Sequence, residues 1–107
     1  MRLVITTCPV DKSQKLIDEI LKLKLAGCAS KSEVNSRFWW EGKIDEEKES
    51  LIIFKTRKEL VKKLFKKIKE IHPYETPEII EIKVEKVDDK YLKWLKVVTK
   101  GAHSLAW

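Results

Sequence analysis

Two long β-compatible runs around one tight turn constrain this chain more than any other feature. Residues 28–41 and 44–56 both read as strands, linked through "EGK", where Gly42 can take a positive φ. Ordinary strands run to about 5–6 residues. At ~3.3 Å per residue each of these spans more than about 40 Å. The two helices the sequence offers, at ~1.5 Å per residue, reach only about 20 Å. The far half of the hairpin therefore projects past the chain's own cover. It carries Phe38, Trp39 and Trp40 in a row beside the turn. Burial of each would contribute on the order of 1.5–3 kcal/mol, whereas a contiguous exposed aromatic patch marks an interaction surface or an aggregation hazard. Long unpaired strand edges add the same liability. Self-association resolves both. Periodicity does not choose between dimer and trimer, and Trp39 and Trp40, pointing to opposite faces, cannot both meet the same layer.

The rest of the chain supplies the frame. "RLVITT" (2–7) is a short apolar strand. Asp11, with Gln14 three residues on, has the spacing of a capping box for a helix over about 12–25, in which Leu16, Ile17, Ile20, Leu21 and Leu25 recur at helical period and which Gly27 ends. "RKELVKKLFKKIKEI" is a second amphipathic helix, with Leu60, Leu64 and Ile68 on its stripe beside Val61 and Phe65. "HPYETP" breaks it. Residues 78–87 alternate as a strand, and Asp88 or Asp89 can cap a last helix containing Tyr91, Leu92, Trp94, Leu95 and Val98. The order β-α-β-β-α-β-α predicts an α+β, ferredoxin-like domain over residues 1–100. Its antiparallel sheet carries helices on one face and a long hairpin between β2 (28–41) and β3 (44–56). Residues 101–107 are a tail, docked by Leu105 and Trp107.

Composition narrows the function classes. The 107 residues carry 23 Lys+Arg against 17 Asp+Glu, a net charge of +6. Only Arg2, Arg37 and Arg57 are arginines. Readers of nucleic acid lean on Arg for bidentate and stacking contacts, and the lysine run over 62–69 has no interleaved stacking aromatics. It reads as a solvated helix face, and no nucleic-acid partner is expected. Abundant Lys and Glu with few amides suggest a heat-adapted surface. No run of ~18 apolar residues suggests a membrane span, and the N-terminus lacks signal-peptide features, so a cytoplasmic protein is expected. Cys8 and Cys28 form no CxxC pair. The three glycines are isolated, so no phosphate-cradling loop exists, and nothing resembles a nucleophilic triad.

At "TTCP" (6–9), "LAGCA" (25–29), "FWWEGKI" (38–44), "KT" (55–56), "HPYETPEII" (72–80) and "YLKWL" (91–95) the chain resembles the CutA, or divalent-cation tolerance, family. The resemblance runs in order and without a gap from residue 2 to about residue 98. It implies a ferredoxin-like protomer, a tight homotrimer, a likeness to trimeric PII-type signalling proteins, and a role in heavy-metal tolerance, copper above all. The tail 101–107 has no counterpart in the family pattern.

The resemblance also suggests sites. Copper or another divalent metal ion is the implied cofactor, and no organic cofactor is expected. His72 falls on the family's "HPY" histidine, which some members use for copper. Those members also carry a second His just before it and a Cys in the first strand, where this chain has Ile71 and Thr6. Cys8, two residues beyond Thr6, is the substitute ligand. The plainer reading of His72 is that it ends the second helix beside Pro73. Cys28 reads as a structural thiol, packed as a small apolar residue. Lys55, Tyr74, Glu75, Glu78 and Trp94 are similar to the lining of the family's intersubunit cleft, with Trp40 and Glu41 joining from a neighbouring hairpin. Lys55 among carboxylates with a Tyr nearby suits a small anion or proton chemistry, or is an ordinary ion pair along a strand. The expectation is a binding and assembly protein, not an enzyme. A PII-like sensor of a small anion and a low-turnover enzyme of the cleft are the rivals.

Overall fold

A computed structural model describes residues 1–102. The residues assigned to tail docking, Leu105 and Trp107, lie outside it. The elements follow the order read from the sequence: β1 Arg2–Pro9, α1 Val10–Lys22, β2 Cys28–Trp40, β3 Lys43–Thr56, a 3-10 turn at Lys58–Leu60, α2 Val61–Ile71, β4 Ile79–Lys83 and α3 Asp89–Val98. The strands form one antiparallel sheet in the order β2-β3-β1-β4. This is the arrangement of a ferredoxin-like α+β domain.

The period-2 alternation of β1 and β3 sorts their side chains between two very different environments. Val4, Thr6 and Cys8 of β1 and Ser50, Ile52, Phe54 and Thr56 of β3 point to the helix-covered face and are buried. There they meet Leu16, Ile17 and Ile20 of α1 and Leu64 and Ile68 of α2. The i, i+3/i+4 spacing of those helix positions places them on one stripe. Leu3, Ile5, Leu51, Ile53, Ile80 and Ile82 share the opposite face by register. Ile80 and Ile82 remain 46% and 43% exposed. Neither α1 nor α2 covers this apolar face.

The hairpin outruns the sheet. Strand β1 stops pairing at Pro9↔Glu49, while β2 and β3 continue together from Asn35↔Lys48 to Trp40↔Lys43. At ~3.4 Å per residue that arm projects about 20 Å. Glu41 (φ 49) and Gly42 (φ 77) make the turn, the pair of positive φ values a two-residue type I′ hairpin needs. Trp39 is 74% exposed, Trp40 60% and Ile44 55%; Phe38 is also exposed.

Four local expectations are corrected. Asp11 does not cap α1. Strand β1 runs straight into the helix, Pro9 occupies the cap position, and Asp11 sits in the first turn, where a carboxylate still favours the helix dipole. Gln14 instead donates to Asp18. Gly27 does not end α1, which finishes at Lys22 and is reversed by Lys24 at φ 59. What Gly27 provides is room: a Cβ there would lie 2.7 Å from Leu95 Cδ1 and 2.9 Å from Val98 Cγ2, so the missing side chain lets α3 pack against the start of β2. The second helix is preceded by a 3-10 turn rather than beginning at Arg57. Finally, β4 is shorter than 78–87. Its ladder ends at Arg2↔Lys83 because β1 has no residues left to pair, apart from one bond from Val84 N–H to the Met1 carbonyl. Asp88 does cap α3, its carboxylate accepting from the Lys90 and Tyr91 N–H groups.

Candidate functional site

The candidate residues fall into separate groups along the sheet and its arm. The first surrounds the end of α2. Pro73 cannot continue the helix, and His72 closes it with a backbone bond to the Ile68 carbonyl. The ring turns inward and is buried. Its Nδ1 accepts from the Tyr74 N–H at 3.0 Å, so the ring proton sits on Nε2, which donates to the Thr7 carbonyl at 2.8 Å. Both nitrogens of a neutral imidazole are thereby engaged. Tyr74 lies beside it, ring centroids 5.0 Å apart, and its hydroxyl donates to Glu49 Oε2 at 2.8 Å. Burial, the bond to Glu49 and the charge of that carboxylate all push the Tyr74 phenol well above its ordinary range.

Cys8 is fully enclosed on the helix-covered face. Burial first, then the neighbouring Glu49, pushes its thiol up to about 11, with Lys31 acting in the opposite direction. At neutral pH it is a protonated thiol, whereas metal binding needs the thiolate. The Thr6 hydroxyl, on the same strand and buried, has no hydrogen-bond partner among the described residues. Among these residues no group of three or more His, Cys, Asp or Glu converges as a metal site. A metal at His72 and Cys8 would displace the Tyr74 N–H from the ring and take a proton from a buried thiol.

The second group lies at the base of β2 and β3. Lys55 pairs in register with Cys28, and its ammonium donates to the Ser30 hydroxyl. No carboxylate lies within ion-pair distance of it among the described residues. Tyr91 and Trp94, one turn apart on α3, bring their rings to 5.3 Å at a tilt of 36° and remain part-exposed. Burial and the neighbouring Cys28 raise the Tyr91 phenol. Cys28 is a free, half-buried thiol.

The third group, Trp40 and Glu41, is the exposed hairpin tip. Glu49 and Lys55 are six residues apart on one strand, about 20 Å. Glu49 is again six residues from Lys43, the partner of Trp40. Tyr74, Lys55 and Trp40 thus stand at three stations along β3 and do not meet within one protomer. Glu75 and Glu78 are exposed in the segment between α2 and β4.

Two participants were not anticipated from the sequence, Glu49 and Ser30. Glu49 had a signal: it is in phase with Leu51 and Ile53, an acid in a row of apolar side chains. Ser30 was reachable only by carrying the Glu41–Gly42 turn register the length of the hairpin, which sets it diagonal to Lys55.

The comparisons agree with this architecture. The family described as CutA1 divalent ion tolerance protein matches residues 2–98. A divalent-cation tolerance protein CutA from Pyrococcus horikoshii is 46% identical over 101 residues, which cover 94% of this chain and 99% of that relative. The crystal structure of CutA1 from the same organism superposes with a TM-score of 0.91 at 44% identity, covering 94% and 99% of the two chains. A Nostoc protein described as PII-like protein CutA, in apo form, superposes with a TM-score of 0.89 at 25% identity, covering 92% and 97%. The family match takes in the projecting hairpin, the "HPY" turn and α3 alike, and this chain belongs to the CutA1 divalent ion tolerance family.

Proposed function

We propose that this chain serves divalent-cation tolerance as a cytoplasmic homotrimer, a binding and assembly protein rather than an enzyme. In this reading the arms and bare sheet faces of the copies cover one another. A divalent metal ion, copper foremost, or another small ligand is held weakly in the clefts between them. The observation that carries the reading is the uncovered arm: three consecutive aromatics beside a tight turn, continuous with an uncovered apolar sheet face. The separation of Tyr74, Lys55 and Trp40 along β3 supports it as well. Residues too far apart within one protomer can converge where a neighbour's hairpin tip reaches the base of the next sheet. Weak metal binding is consistent with the His72 ring being engaged on both nitrogens and with the raised Cys8 thiol. Calorimetric titration with copper, zinc and cadmium, on the parent protein and on His72→Ala and Cys8→Ser, tests the ligands. Loss of binding in either variant supports them. Equal binding by all three proteins removes both residues from the site.

A second reading has its own support. Among the described residues Lys55 is without a carboxylate partner; its register partner Cys28 adjoins Tyr91 of the part-exposed Tyr91–Trp94 pair, and the Nostoc protein is described as PII-like. A small anion seated on Lys55 in the assembled cleft would make the trimer a sensor. Anion binding that Lys55→Ala abolishes while the trimer survives would favour this reading. Metal binding unaffected by Lys55→Ala, with no anion bound, would exclude it.

A further inference from the structure

Helix α2 and its leading turn carry a row of cations that have no counter-charge among the described residues. Lys58, Lys62, Lys66 and Lys69 follow one another at intervals of four, four and three residues, which places them on one face of the helix and its leading turn. They line an open groove of about 710 Å³ between α2 and β4. The acids of the leading turn, α2 and β4 are already committed elsewhere: Glu59 to Arg57 at 3.4 Å, Glu70 to Lys67 at 3.5 Å and Glu81 to Arg2 at 2.9 Å. Among the described residues none of the four lysines has a carboxylate within ion-pair distance. Like charges at i, i+4 repel and destabilise the helix that carries them. Val61 and Phe65 are the apolar part of the lining, and low-dielectric walls concentrate the field of the charges beside them.

We propose that this groove is a docking site for a chain of linked phosphates, inorganic polyphosphate. The lysines span about 16 Å along the axis, so the site suits an extended polyanion better than a single phosphate. Lysine meets phosphate as a point charge, without the bidentate geometry that reads a carboxylate or a base edge. Among the described residues of the lining, Arg2 is the one arginine and Glu81 the one carboxylate, and the two neutralise each other at 2.9 Å. Among the described residues no Asn, Gln, Ser, Thr or Trp lines the groove to read or stack a base, and Phe65 is its one aromatic. Charge without base recognition favours an anion that has no bases. The site is distinct from the His72 and Lys55 groups and does not depend on the role proposed for them.

The test is titration of the intact protein with inorganic polyphosphate between 50 and 200 mM salt. Single-stranded RNA and polyglutamate of matched charge are run in parallel. Four phosphate contacts give a slope of log K against log salt of about −3, or about a 50-fold weakening over that range. Lys62→Gln/Lys66→Gln should halve the slope, and Lys58→Gln/Lys69→Gln should do the same should the first pair fold poorly. Lys12→Gln/Lys15→Gln on α1, an equal change in net charge, should leave it unaltered. Absence of polyphosphate binding at 50 mM salt overturns the proposal. So does an equal loss in the α1 control, or tighter binding of RNA or polyglutamate than of polyphosphate.

Discussion

Replacing Tyr74 by Phe removes one hydroxyl from the interior of the His72–Tyr74–Glu49 group. The lost bond is 2.8 Å long and ends on a carboxylate that is 5% exposed. Bonds to charged groups are worth about 1.5–3 kcal/mol, and water cannot reach Glu49 easily to replace this one. A domain of this size loses about 4 °C in Tm per kcal/mol, so Tyr74→Phe should melt roughly 6–12 °C lower at fixed protein concentration. Glu49→Gln keeps an acceptor for the phenol and should cost less. The double variant should show a coupling of about 1 kcal/mol or more, since the two side chains share one bond. The assay is thermal and urea unfolding of all four proteins at pH 7. A Tyr74→Phe loss below about 0.5 kcal/mol, or strict additivity in the double variant, would refute the claim that this bond is buried and strong.

Other consequences follow from single positions. Gly27→Val places methyl groups against Leu95 and Val98, beyond the 2.7 Å and 2.9 Å approaches already set by a Cβ. It should cost about 1–3 kcal/mol as α3 shifts, read by urea unfolding and by the near-ultraviolet signal of Trp94. Cys8 retains its proton in the folded state up to about 11, from an ordinary value of 9.0. The unfolded chain therefore loses its proton first as pH rises, and stability should fall between about pH 9 and 11 by roughly 2–3 kcal/mol. Cys8→Ala should flatten that stretch of the pH profile, measured by urea midpoints, while the raised phenols of Tyr74 and Tyr91 keep a slope above pH 10.

The fold was legible because its signals are periodic. The stripe of Leu60, Leu64 and Ile68 and the alternation of Ile80 and Ile82 each select one element, and the Glu41–Gly42 turn fixes the hairpin register. Element ends were less legible because they depend on partners. Strand β4 stops where β1 runs out, and α1 begins at Val10 because β1 delivers the chain into it with no linker. Gly27 read as a helix stop because glycine often is one; its purpose, space for Leu95 and Val98, belongs to a contact almost 70 residues away in sequence. At the candidate site, His72 ending α2 was readable from Pro73. Its engagement by Thr7 and Tyr74 was not, since both bonds depend on where the turn places the ring. The exposure of Trp39 and Trp40 followed from strand length alone.

Sedimentation equilibrium of the parent protein at micromolar concentration tests the central claim most directly. The account predicts a species of about three times 12.6 kDa, reduced toward the monomer when Trp39 and Trp40 are both replaced by Ser. A stable, well-behaved monomer of the parent chain at that concentration would contradict it.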